Sequence, residues 1–252
     1  MKGLMQDWPL LVHTFIDHAS LHHSEREIVT RKVEGDIHRT NYLEIHSRAR
    51  KFSKALIKLG VKKSDVIGTL AWNTHRHLET WYGITGVGAI YHTLNPRLFL
   101  EQLEYIINHA DNKYIIADIT FVKILEGIES KLSNVKGFIF LTDSENMPET
   151  NLKNIFCYEE MINLEDDDYE WLKVEETDAC GLCYTSGTTG NPKGVLYSHK
   201  SNVLHTLVAN NADAMGIKST DSVMPVVPMF HANAWGLSFS APMSGCKVVM
   251  PG

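Results

Sequence analysis

Residues 184–195 read YTSGTTGNPKGV, which puts four hydroxyls (Thr185, Ser186, Thr188, Thr189), three glycines (Gly187, Gly190, Gly194) and one ammonium (Lys193) on one short segment. Glycine adopts positive φ without steric penalty, so the backbone N–H groups of such a segment can converge on one set of oxygens. Hydroxyls and amides can wrap a polyphosphate while a single lysine offsets charge as a phosphate group departs. Two better-known phosphate loops do not fit. A Walker A loop needs Gly before the lysine and Ser or Thr after it, but Pro192 and Gly194 stand there. The dinucleotide pattern GxGxxG is also missing, so a phosphoryl-transfer enzyme ranks behind other nucleotide chemistry. A flexible Gly/Thr-rich surface loop is the plainer alternative.

Other chemistry-bearing residues are weaker signals. Cys180 and Cys183 have the spacing of a redox or zinc pair, but there is no second ligand pair and they sit in an apolar run, which favours buried thiols. His22 with His23, or His75 with His77, could suggest metal ligands, yet no cysteine or carboxylate cluster completes either set. They read as structural or surface residues. His231 in PMFHANAW is as easily structural as functional, and a core aromatic is the commoner role for a residue such as Trp235.

The elements that must hold these residues follow from periodicity. The chain has 252 residues with 44% hydrophobic and 21% charged residues, the composition of an ordinary globular protein. A net charge of -6 without a dense Lys/Arg run argues against a nucleic-acid partner. No stretch approaches the ~18 apolar residues of a membrane span, and the N-terminus has no signal-peptide core, so a cytoplasmic location is expected. Asn41 and Glu44 stand at capping-box spacing ahead of apolar residues recurring at three and four, which predicts a helix to Gly60. REIVTRKVEGDIHRT before it predicts a hairpin. Beyond it, strand-like runs (DVIGTLAW, AIYHTL, KYIIAD, GFIFLT) alternate with helical ones, predicting an α/β fold with mostly parallel sheets flanked by helices. From 143 to 178 the chain reads as an acidic surface connection with one short helix. Then come the strand ACGLCYT, the glycine-rich loop, a helix from about 199 to 211, the strand SVMPVV, a helical stretch after Met229, and KVVM. A strand ending at Gly252 without a closing helix reads as an interrupted fold.

With these residues in view, TSGTTGNPKG resembles the phosphate loop of the adenylate-forming enzymes. The stretches THRHLETWYGITGVGAIYHTLNPRLFLEQLEYIINHAD and PMFHANAWGLSFSAPMSGCKVVMPG are similar to medium- and long-chain fatty-acyl-CoA synthetases and to relatives that activate short sulfur-containing acids. The resemblance implies the N-terminal subdomains of that fold without its C-terminal part: 1–178 as a first α/β portion, 179–252 as the phosphate-loop strand and the start of an acyl- and nucleotide-binding subdomain. It implies ATP, Mg²⁺ and coenzyme A as cofactor and cosubstrates, a carboxylic acid as substrate, and a possible homodimer. By resemblance, Thr185, Ser186, Gly187, Thr188, Thr189, Gly190 and Lys193 surround the β- and γ-phosphates, and Thr185 helps hold Mg²⁺. Lys193 and His231 would be catalytic, His231 lying beside the acyl and phosphate groups, and Trp235 would gate the acyl tunnel. The family's Tyr-Gly-x-Thr-Glu stretch, ribose aspartate and C-terminal lysine do not occur; YGIT at 82–85 reads as a helix interior. A chain of this extent is therefore expected to be a fragment not competent alone, with a nucleotide-binding or dimerising module as the alternative.

Overall fold

The computed structural model describes residues 1, 3–185 and 191–252. Two sheets organise them. The larger has seven strands: β3 (Val66–Leu70), β4 (Ile90–Thr93), β5 (Asn112–Ala117), β6 (Phe138–Phe140), β7 (Ile155–Cys157), β8 (Ala179–Thr185) and β9 (Lys193–Ser198). Its order is β7-β6-β5-β3-β4-β8-β9, parallel throughout except for the antiparallel β8–β9 edge. The smaller sheet, β10-β11-β1-β2, joins the hairpin β1 (Glu27–Arg31) and β2 (Ile37–Asn41) to β10 (Ser222–Val223) and β11 (Lys247–Met250). The two ends of the sequence thus meet, β1 pairing with β11 in parallel from Ile28 opposite Val248.

Alternation along the strands covers the large sheet on both faces. Ile116 and Ile139 point into a core shared with α1 (His13–His22), α2 (Tyr42–Lys58), α3 (His75–Gly86) and α8 (Leu237–Ser244). Their neighbours Ile115, Ala117, Phe138 and Phe140 point the other way, against α4 (Leu100–His109) and α5 (Val122–Ile128). Helix α2 starts where its capping residue predicts, the Asn41 side chain accepting from the Glu44 N–H at 2.9 Å. Helix α3 is buried along its whole length, charged residues included. That is tolerable because each charge is paired. Arg48 reaches Glu79 at 2.8 Å and Glu159 at 2.9 Å, Arg76 reaches Glu159 at 2.7 Å and Glu34 at 2.6 Å, and Tyr158 donates to Glu79 at 2.7 Å.

Several expectations need correction. The 143–178 connection carries not only the short helix α6 (Tyr158–Asn163) but also strand β7, which at three residues is too short to leave a period. Its acidic run is not simply solvated: Glu165 is buried and pairs with Lys58, and Asp166 pairs with Lys54, both at 2.5 Å against α2. The glycine-rich loop leads into β9 before helix α7 (His199–Ala209), so no helix N-terminus directly follows the loop. Strand β9 escaped the sequence reading because it is an exposed edge strand without apolar alternation. SVMPVV forms only a two-residue strand, since Pro225 carries no N–H for a ladder. The helical stretch after Met229 is a left-handed turn followed by α8.

Candidate functional site

Strands β8 and β9 pair from Ala179–Ser198 to Thr185–Lys193, so the loop's two described ends lie side by side. The Thr185 hydroxyl is 3.4 Å from the Lys193 carbonyl oxygen, and both side chains are exposed. Ser186, Gly187, Thr188, Thr189 and Gly190 lie outside the described residues. Lys193 takes part in none of the ion pairs found among the described residues. Beside this hairpin end lies a cleft of about 280 Å³ whose walls include Thr185, Pro192, Tyr184, Phe230, His231 and Asn95. Thr185 and His231 therefore come together from well-separated stretches of sequence. Among the described residues no carboxylate lines the cleft, which suits an anionic ligand.

A larger, shallower groove of about 570 Å³ beside His22, His23 and Lys247 shares no lining residue with this cleft, and two of its own, Lys247 and Glu27, form an ion pair. Chemistry, not size, favours the smaller cleft.

The segment leading to His231 is held by Asn73, a residue that carries no signal in the sequence. The buried Asn73 donates through its side-chain amide to the carbonyls of Pro225 at 2.6 Å and Val227 at 3.0 Å, and accepts from the Met229 N–H at 2.7 Å. Phe230, next in sequence, packs edge-on against Trp72 with centroids 5.7 Å apart, and Arg97 lies 6.0 Å over its ring. Trp72 in turn donates its backbone N–H to the buried Asp118 at 2.6 Å. Burial pushes the Asp118 carboxyl up to about 7.

After His231 the chain makes a left-handed turn: φ is 44° at Ala232, 53° at Asn233, 50° at Ala234 and 55° at Trp235, ending at Gly236 with 78°. Such backbone costs a non-glycine residue about 1–2 kcal/mol. Buried Asn233 and Ala234 hold the turn, the Asn233 side chain lying 3.5 Å from both the Tyr91 hydroxyl and the Thr93 hydroxyl. Trp235 is 60% exposed and does not line the cleft. The structure thus groups Thr185, the Lys193 end of β9 and His231, and leaves Trp235 outside.

For magnesium, the described walls of the cleft offer the Thr185 hydroxyl and no carboxylate, and no group of three or more potential metal ligands occurs among the described residues. These residues do not by themselves make a magnesium site, since the ion normally takes one or two carboxylates together with substrate phosphates. The cysteines are free and buried, and burial pushes Cys180 up to about 12, which keeps it a thiol. His75 and His77 are buried in α3, and YGIT is indeed a helix interior.

The fold is that of an adenylate-forming enzyme's N-terminal portion. A family model described as AMP-binding enzyme matches residues 16–252, and the chain belongs to that family. It is 47% identical over 252 residues to a 3-methylmercaptopropionyl-CoA ligase of Ruegeria lacuscaerulensis, covering 100% of this chain and 47% of the relative. It is 44% identical over 252 residues to a medium-chain-fatty-acid–CoA ligase of Ectopseudomonas oleovorans, covering 100% and 46%. Among solved structures, an anthranilate CoA ligase in complex with anthranoyl-AMP superposes with a TM-score of 0.86 at 21% identity, over 100% of this chain and 47% of that one. A long-chain-fatty-acid-CoA ligase from Archaeoglobus fulgidus gives 0.83 at 22% identity, over 100% and 49%. The chain thus spans about half the length of the curated relatives it matches.

Proposed function

We propose that the Thr185–Lys193 hairpin end and His231 form the phosphate side of a site that activates an aliphatic carboxylic acid with ATP. In this reaction a carboxylate oxygen of the substrate attacks the α-phosphorus, the bond from that phosphorus to the bridging oxygen breaks, and pyrophosphate leaves with its charge offset by Lys193. The acyl group then passes to the thiol of coenzyme A, releasing AMP. The carboxylate is the nucleophile, so positioning and charge neutralisation suffice, and no catalytic serine or cysteine is needed. Thr185, Ser186, Gly187, Thr188, Thr189, Gly190 and Lys193 would contact the β- and γ-phosphates, and His231 would lie beside the reacting groups. Magnesium would enter with the nucleotide's own oxygens, with Thr185 as the protein's contribution. Trp235 would act at the acyl tunnel from outside the cleft. The observation that carries the reading is the cleft joining Thr185 to His231, with no carboxylate among its described walls.

The names of the two similar ligases support an aliphatic acid as substrate. No described helix is long and apolar enough to cross a membrane, which is compatible with a cytoplasmic, self-associating enzyme. The second reading is a nucleotide-binding or dimerising module without turnover. Calorimetric titration of ATP into the 252-residue chain, with carboxylate-dependent ATP–pyrophosphate exchange in parallel, separates the two. Micromolar binding weakened about tenfold by Lys193→Ala is expected from loss of one charge-assisted contact. Exchange by the chain excludes the module; an affinity unaffected by Lys193→Ala removes Lys193 from the site.

A further inference from the structure

The residue immediately before the loop is fastened to a helix far from it in sequence. The Tyr184 hydroxyl is hydrogen-bonded with Nδ1 of His109, the last residue of α4, at 2.6 Å. Tyr105, one turn earlier on α4, stacks on the His109 ring at 5.2 Å and 27°. The Tyr184 ring also lies over the buried His92, centroids 5.1 Å apart. Burial holds His92 down to about 4, so it packs as a neutral ring, oriented by Asn112 at 3.1 Å.

Tyr184 touches the other end of the loop too. It stands directly opposite Gly194 in the β8–β9 pairing. A Cβ built on Gly194 would come 3.1 Å from Cζ of the Tyr184 ring and 3.2 Å from Cε2, so the ring lies against the backbone next to Lys193. Glycine is what leaves room for this approach. One side chain therefore braces both described ends of the loop, and its hydroxyl is tied to α4.

We propose that His109, acting through Tyr184, is a positioning residue for the phosphate loop, setting the separation and direction of its Thr185 and Lys193 ends. Its functional meaning rests on the nucleotide reading above. A loop that must present several N–H groups to one polyphosphate loses affinity when its ends drift, since ordering them then falls to the binding step. His109 is exposed, so its replacement leaves the core intact.

The test uses the 252-residue chain with His109→Ala, Tyr184→Phe, their double variant, and His109→Asn, whose amide occupies the place of Nδ1. Two quantities are read: amide hydrogen exchange of residues 193–196 without ligand, and the ATP dissociation constant. Removing the bond is expected to speed exchange and weaken ATP about fivefold in either single variant, within the range for one hydrogen bond. The double variant should be no worse than the singles, and His109→Asn should recover most of the loss. Unchanged exchange and affinity, additive effects in the double variant, or a fall in melting temperature with unchanged affinity would each overturn the proposal. If the parent chain binds no ATP but exchange still responds to His109, the brace stands and the nucleotide reading falls. If ATP binds and neither quantity responds, the reading stands and the brace falls.

Discussion

Replacing Asp118 by asparagine should stabilise the protein, and more so the higher the pH. Asp118 is 1% exposed and its carboxylate accepts from the Trp72 backbone N–H. Desolvation, the largest influence, raises its carboxyl from an ordinary 3.8 to about 7, against the smaller lowering effect of that bond. A group that binds its proton more tightly when folded stabilises the fold fully below its unfolded value, and that contribution is lost as pH rises through the folded value. The window is therefore roughly pH 4 to 7, and the difference across it is about 4 kcal/mol at 1.36 kcal/mol per pH unit. An asparagine side chain in this place would keep an oxygen for the Trp72 N–H and never ionise. Urea unfolding of both proteins at pH 5.5, 7 and 8.5 reads the effect. The gain from Asp118→Asn should be smallest at pH 5.5 and grow by about 2 kcal/mol or more by pH 8.5. A gain independent of pH, or a loss that deepens above pH 7, would show that Asp118 is not an unpaired buried acid. Because Trp72 packs on Phe230 beside His231, the same variant tests whether relieving this buried charge leaves the cleft undisturbed.

Three further outcomes can be checked on purified protein. Gly181→Ala would place a Cβ 2.4 Å from the Tyr91 ring, itself stacked on Trp81 at 4.2 Å and unable to retreat; a loss of about 1–3 kcal/mol is expected in urea unfolding, and an unchanged midpoint would mean that Tyr91 can move. Ala232→Gly, at an exposed residue with φ of 44°, relieves a left-handed alanine at the expense of chain entropy, so it should be neutral or stabilise by up to about 1 kcal/mol; a loss of that size would argue against the left-handed turn. The buried imidazoles His77 and His199 are both held down to about 4 by desolvation. They resist protonation while the unfolded chain accepts protons near 6.5, so stability should fall as pH drops from about 6.5 toward 4, in opposition to Asp118. Replacing His77 by glutamine should flatten that acid limb, and an identical limb in parent and variant would count against it.

Much of this protein is written locally. The helix from Asn41 onward, the β1–β2 hairpin and the alternation from β3 to β6 were legible because each depends on residues three, four or two apart. The glycine-rich loop stood out because glycines, hydroxyls and a lysine share twelve consecutive positions. Strand β9 was not, because an edge strand buries little and leaves no period. Strand β7 was not, because three residues cannot establish one. The left-handed turn after His231 was illegible for a further reason: Ala, Asn, Ala and Trp have no common liking for positive φ, and only the burial of Asn233 and Ala234 holds them there.

What the sequence by itself determined is thus the class of fold, the helices and strands with internal periodicity, and the chemical character of the loop. Tertiary structure alone decided which distant residues meet at the candidate site: His231 and Thr185 on the walls of one cleft, Asn73 holding the segment before His231, and His109 on Tyr184 beside the loop. The physical reason is range. Backbone propensity and side-chain spacing act over a few residues, whereas these contacts arise when parallel strands bring the ends of distant segments to one edge of a sheet, a placement fixed by the summed burial of both faces and marked at no single position in the chain.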